Sequence, residues 1–155
     1  MNRFILDTNI CLAYIRGNRK FCEEIDKRLD LFKPDVQVII SVVTKAELLS
    51  LGVQNGWGKN KLNNLKNLLN KLFVIDINES DSDLMEAYAK IDAFSQGRLP
   101  EQPLEMSARN MGKNDLWIAA TAYVANAALV TTDGDFDHLH DKWITVYKFL
   151  WTATL

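Results

Sequence analysis

Cysteine is scarce in this 155-residue chain: Cys11 and Cys22 are its only two. They show no paired metal-ligand spacing, and two are too few for a disulfide scaffold. Both are expected to be buried, reduced thiols. A long apolar run is also missing. The longest uncharged stretch, Leu116 to Thr132, contains Thr121, Asn126 and Thr131. It is shorter than the roughly 20 apolar residues a membrane helix needs. The N-terminal Met1-Asn2-Arg3-Phe4-Ile5-Leu6-Asp7 reaches an acid too soon for a secretory signal. A cytoplasmic protein without membrane contact is therefore expected. There is no excess of positive charge, the net being -2, although nucleic-acid binders usually carry a basic footprint. Local clusters exist at Arg16, Arg19, Lys20, Lys27 and Arg28, and at Lys59, Lys61, Lys66 and Lys71. Taken alone they read as solvated helix faces. No GxxxxGK[ST] phosphate loop occurs, and no Ser/His/Asp arrangement is evident.

The chain length fits one domain with a single core, spanning residues 1–155. Apolar residues make up 48% and charged residues 25%, as in soluble globular proteins. Short apolar runs at Phe4–Leu6, Val36–Ile40, Phe73–Ile75 and Ala128–Val130 predict strands, with a fifth over Trp143–Tyr147. Most are apolar on both faces, which suits a buried parallel sheet. Helical patterns lie between them: Asn9–Arg16, Phe21–Leu31, Thr44–Leu51 with Gly52 as C-cap, Lys59–Leu72, Ser82–Phe94 and Asn114–Ala127. Leu62, Leu65, Leu69 and Leu72 are the expected buried face of the fourth. This alternation predicts a three-layer α/β/α sandwich with a short parallel central sheet. Residues 98–112, with Pro100, Pro103 and Gly112, read as a loop leading into Asp115.

The acids carry the functional argument. Asp7 directly follows the first strand, where open α/β sheets place their ligand crevice. Asp7-Thr8-Asn9 equally suits a helix N-cap. Glu47 completes Thr44-Lys45-Ala46-Glu47, which matches a capping box. Asp115 falls in the first turn of the alanine-rich helix, where an anion complements the helix dipole, with Asn114 as the cap. Asp133 and Asp135 flank Gly134 after the fourth strand, and Asp-Gly is also a turn signal. Asp137 carries less weight. His138 and His140 are expected at the surface.

Each acid has a purely structural explanation, yet all come just after strands or at helix starts. In a parallel sheet those ends share one edge. Converging carboxylates repel unless a proton or a cation neutralises them. The hard cations Mg²⁺ and Mn²⁺ suit an all-oxygen cage, and no Cys or His pattern points to zinc. Such a cation can polarise a phosphoryl oxygen and activate water, which is the chemistry of phosphodiester hydrolysis.

These segments resemble the PIN-domain nucleases, and among them the VapC-type toxins. Phe4-Ile5-Leu6-Asp7-Thr8-Asn9 looks like the opening strand and first acid of the family. Ile40-Ser41-Val42-Val43-Thr44-Lys45-Ala46-Glu47-Leu48, Asn114 to Ala122, and Leu129 to Phe136 resemble its next three motifs in order. The resemblance implies a Rossmann-like sandwich and Mg²⁺- or Mn²⁺-dependent cleavage of RNA. It further implies a homodimer inhibited by a small antitoxin protein. Carried over by position, the catalytic acids are Asp7, Glu47, Asp115 and Asp133. Asp7, Asp115, Asp133 and Asp135 are the candidate metal ligands. Thr8, Asn9, Asn114 and Thr131 are expected to support them.

Three other readings compete. An RNA-processing nuclease of the same kind needs no antitoxin. A phosphotransfer or receiver domain also places acids at strand ends, and would use Asp76. Asp7, however, lacks the second acid that such domains keep beside the first. A non-catalytic interaction module on the same fold would be indifferent to metal.

Overall fold

The computed structural model describes residues 2–151. Its elements run β1 (Asn2–Leu6), α1 (Thr8–Arg16), α2 (Arg19–Leu29), β2 (Val36–Ser41), α3 (Val42–Gln54), α4 (Lys59–Asn70) and β3 (Phe73–Ile75). There follow α5 (Ser82–Ser95), α6 (Lys113–Val124), β4 (Ala128–Thr131), a 3₁₀ turn (Gly134–Leu139) and β5 (Val146–Lys148). The strands form one sheet in the order β3-β2-β1-β4-β5, and every neighbouring pair is parallel.

Side chains alternate across each strand. Phe4, Leu6, Val38, Ile40 and Val130 enter one core with Ile10, Phe21, Ile25, Leu48 and Leu65. Ile5, Ile39 and Leu129 enter the other, with Leu84, Ile91, Leu116 and Ile118. Helices thus cover both faces, which is why the strands are apolar on both sides. Each fully buried leucine or isoleucine contributes about 1.5–3 kcal/mol, so two such cores hold the sheet rigid.

The chain builds outward from β1 to β3, then crosses back to place β4 on the other side of β1. This reversal is the switch point at which open α/β sheets form a crevice beyond their carboxyl ends. Asp7 N–H donates to the Val130 carbonyl at 3.0 Å, continuing the ladder into that crevice.

Several local expectations change. Asp7 is the N-cap of α1, which starts at Thr8, one residue earlier than predicted. Asn18 caps α2 through the Phe21 N–H, so that helix starts at Arg19. The α3 helix starts at Val42, because Ser41 at the end of β2 accepts from Val43 N–H at 3.1 Å and takes the cap. Thr44 therefore caps nothing, and Glu47 lies in the second turn, beyond reach of a capping box. Gly52 is inside α3 and buried: a Cβ there would lie 3.2 Å from Trp57 Cε3. It makes room for that ring and is not a C-cap. In α4, Leu65 and Leu68 are buried, whereas Leu62 is 48% exposed. Cys11 is buried and Cys22 half-buried; both are free. No helix among the described residues is long and apolar enough to cross a membrane.

Candidate metal centre

Asp7 sits at the carboxyl end of β1 and is 6% exposed. Its Oδ1 accepts from Thr8 N–H at 2.8 Å, the N-cap bond of α1. Its Oδ2 accepts from Thr131 Oγ1 at 2.7 Å. One carboxylate thus starts a helix and ties β1 to the end of β4. Burial raises its pKa; the Thr131 and Thr8 hydrogen bonds oppose that shift, and Asp133 adds to it.

Thr131 Oγ1 also accepts from Asp133 N–H at 3.0 Å, which fixes the start of the next loop against Asp7. Asp133 caps the 3₁₀ turn by accepting from Asp135 N–H at 2.9 Å. Asp115 enters from the first turn of α6. Gly112 is the N-cap there, without a side-chain bond, so Asn114 is not the cap that was expected. Asn114 instead lies close enough to Glu47 to oppose the rise of its pKa.

Carboxylate oxygens of Asp115, Asp133 and Asp135 all lie within 4.8 Å of one another. At an effective dielectric of about 20, two full charges at that distance repel by roughly 3 kcal/mol. The helix dipole returns only about 0.3–1 kcal/mol to an acid in the first turn. Repulsion wins, and the Asp115 pKa is pushed up to about 7, by burial first and then by Asp7, Asp133, Asp135 and Glu47. Among the described residues, no lysine or arginine forms an ion pair with these acids. Lys148 binds Asp137 instead, at 2.7 Å.

Glu47 completes the crevice from α3. Thr8 Oγ1 donates to its Oε1 at 3.1 Å. Burial raises its pKa, with Asp7 adding to the rise, while Thr8 and Asn114 oppose it. Asn9 Nδ2 donates to Thr132 Oγ1 at 3.3 Å, bracing α1 against the β4 loop. The acids singled out in the sequence are therefore neighbours through space. Asp115, Asp133 and Asp135 form the cluster, Asp7 is anchored behind it, and Glu47 is held through Thr8. Asp76 stays apart. It follows β3, two strands from β1 and hence about 10 Å across the sheet, so the receiver reading fails on geometry.

The donor set is entirely carboxylate oxygen, uncompensated by side-chain cations. That combination fits a hard divalent ion such as Mg²⁺ or Mn²⁺.

Sequence reasoning missed a second group of residues. His138 is buried at 2% exposure, against the surface position expected, and its Nε2 lies 2.7 Å from Ser95 Oγ. Burial, and after it the Arg109 charge, lower the imidazole pKa. Arg109, in the 98–112 loop, donates from Nη1 to the Gly134 carbonyl at 3.0 Å. The only signal for them was the loop's position ahead of Asp115. A cavity of about 640 Å³, lined by Arg3, Tyr123, Asn126 and Trp143, lies at the amino ends of β1 and β4 and contains none of the acids.

Comparison with known proteins agrees with this geometry. The chain is 28% identical over 130 residues to the ribonuclease VapC1 of Haemophilus influenzae (strain R2866), covering 83% of this chain and 84% of that protein. The solved VapBC2 complex of Rickettsia felis, bound to a promoter DNA fragment, is 26% identical with a TM-score of 0.68. The match covers 94% of this chain and 98% of that one. VapBC-1 from nontypeable Haemophilus influenzae, at 24% identity and a TM-score of 0.67, shares the fold over 94% of this chain and 97% of that one. The sequence model of the PIN domain family matches residues 4–142. That span holds Asp7, Glu47, Asp115, Asp133 and Asp135, and the chain belongs to the PIN domain family.

Proposed function

We propose that this protein is a cytoplasmic, Mg²⁺- or Mn²⁺-dependent endoribonuclease, acting as the toxin of a toxin–antitoxin pair. The reading extends to one nuclease domain over residues 1–155, a homodimer, and inhibition by a small antitoxin protein. One observation carries it: the carboxylate of Asp115, from α6, meets those of Asp133 and Asp135, from the segment after β4, within 4.8 Å without a side-chain cation. The likeness to VapC1 and to the Rickettsia felis VapBC2 complex supports the nuclease and the antitoxin.

In this reading Asp115, Asp133 and Asp135 hold the ion, with Asp7 anchored behind them. A bound divalent cation supplies positive charge that polarises a phosphoryl oxygen and stabilises the charge building up in phosphodiester hydrolysis. The protein does the rest. Asp7 keeps both oxygens engaged by Thr8 and Thr131, so its charge faces the cluster in one orientation. Thr131 carries that order to Asp133 through the backbone N–H. Glu47, held by Thr8, accepts the proton of the attacking water at its carboxylate. The neutral Asn9–Thr132 bridge closes one side of the crevice without adding negative charge against the incoming phosphate.

The test is cleavage of a mixed RNA pool by the purified protein with Mg²⁺, with Mn²⁺ and with a chelator. Cleavage should need metal and should vanish in Asp115→Asn. Cleavage unaffected by chelation, or the absence of any cleavage, overturns the proposal. Growth arrest on expression, relieved by a co-expressed small antitoxin protein, separates a toxin from an RNA-processing nuclease without antitoxin.

A further inference from the structure

Behind the acid cluster, three residues close a ring of contacts. At the end of α5, the Ser95 carbonyl accepts from Arg109 N–H at 2.7 Å. The Arg109 guanidinium reaches the Gly134 carbonyl at 3.0 Å. Gly134 opens the 3₁₀ turn, and within that turn His138 Nε2 returns to Ser95 Oγ at 2.7 Å. Ser95 and His138 are buried, and the imidazole lies parallel to Phe94, with 9° between the planes and 6.2 Å between centroids. The ring joins the last turn of α5, the 98–112 loop and the segment that bears Asp133 and Asp135.

We propose that Ser95, Arg109 and His138 are positioning residues that hold Asp133 and Asp135 in the arrangement that binds a divalent cation. This rests on the metal reading given above. Three acids within 4.8 Å push one another apart when no cation is present. The segment that must resist is a short 3₁₀ turn, whose own hydrogen bonds are poorly formed. Phe136 and Leu139 anchor its buried side, and Lys148 ties Asp137 on the outside. Arg109 grips it at Gly134, between the two acids. Its guanidinium binds a carbonyl there and leaves both carboxylates free for an ion. His138 fastens the far end of the turn to the same residue that anchors the Arg109 backbone.

The test is Mn²⁺ binding by the full chain, measured by calorimetry for wild type, Arg109→Ala, Arg109→Lys and Ser95→Ala. Partners that orient metal ligands typically contribute about 10–100-fold in affinity. Arg109→Ala and Ser95→Ala should weaken binding by about tenfold or more, and Arg109→Lys should recover most of it. The sign is diagnostic. If Arg109 acted only as a nearby charge, removing it would tighten Mn²⁺ binding. In the metal-free protein, amide hydrogen exchange over 133–139 should accelerate in both truncation variants, with β1 and β4 unchanged. If Arg109→Ala does not fold, as judged by its melting curve, Ser95→Ala decides, because it removes one oxygen. Affinities within about twofold of wild type, or tighter binding by Arg109→Ala, overturn the proposal. A wild type that binds no Mn²⁺ overturns the metal reading instead; the exchange data then still report whether the ring restrains the turn.

Discussion

The Thr131 hydroxyl donates to Asp7 Oδ2 at 2.7 Å, linking residues 124 positions apart in the chain. The same oxygen accepts from Asp133 N–H, so it connects the first and last acidic segments. Thr131→Val keeps the shape and removes both bonds. It should destabilise the protein by about 1–3 kcal/mol, because a buried carboxylate and a half-buried amide lose their partner. Denaturant unfolding with and without Mn²⁺ checks this, and metal binding should weaken together with stability.

Asp7→Asn should preserve the fold. Asparagine caps helices as well as aspartate does, and its amide can still bridge Thr8 N–H and Thr131. The variant also relieves repulsion with Asp133. Its melting temperature should be equal to or slightly above wild type in the absence of metal, while RNA cleavage falls by at least about a hundredfold. Melting curves and a cleavage assay on the same preparation settle the point.

The Asp115 carboxyl, pushed up to about 7, makes the metal-free protein sensitive to pH. Between pH 4 and 7 the folded state binds more protons than the unfolded state, so this group's contribution to stability falls as pH rises through that window. Asp115→Asn should therefore stabilise the metal-free protein at pH 8 and have no such effect at pH 4. The carboxyl is half exposed, so solvent screening cuts the gain to about 1–2 kcal/mol, below the roughly 4 expected of a fully buried group. Urea unfolding at the two pH values measures it.

The same displacement couples metal to protons. An ion binding at Asp115 displaces its proton, so Mg²⁺ affinity should climb with pH up to about 7 and level off above it. Calorimetry in two buffers of different ionisation enthalpy should detect net proton release at pH 6 and little at pH 8.5.

Glu47 lies outside the three-carboxylate cluster. Glu47→Gln should lower the cleavage rate by about a hundredfold or more and leave Mn²⁺ affinity within about twofold. A joint loss of rate and affinity would make Glu47 a metal ligand instead of a proton acceptor.

Much of the fold was legible because burial on both faces writes a continuous apolar run. Phe4–Leu6, Val36–Ile40, Phe73–Ile75 and Ala128–Val130 all fall within strands of the sheet. The weakest prediction was the fifth strand, which begins at Val146, after Trp143 has turned into the α5–α6 core. Helix starts shifted wherever two residues competed for one cap. Ser41 displaced Thr44, and that shift freed Glu47 for the crevice. The sequence places His138 at the surface because it stands beside an acidic loop, in Asp133-Gly134-Asp135-Phe136-Asp137. The 3₁₀ turn rotates it inward onto Phe94 and Ser95.

By itself the sequence determined which acids end strands or begin helices, and that the strands lie parallel, because side-chain periodicity and local capping are encoded within a few neighbouring residues. Only the tertiary structure decided that these acids crowd together, that Thr8 holds Glu47 and Thr131 holds Asp7, and that a ring through Arg109 grips the acidic turn. Those relations depend on β4 returning beside β1, and distance through space between remote segments is set by packing, not by local pattern.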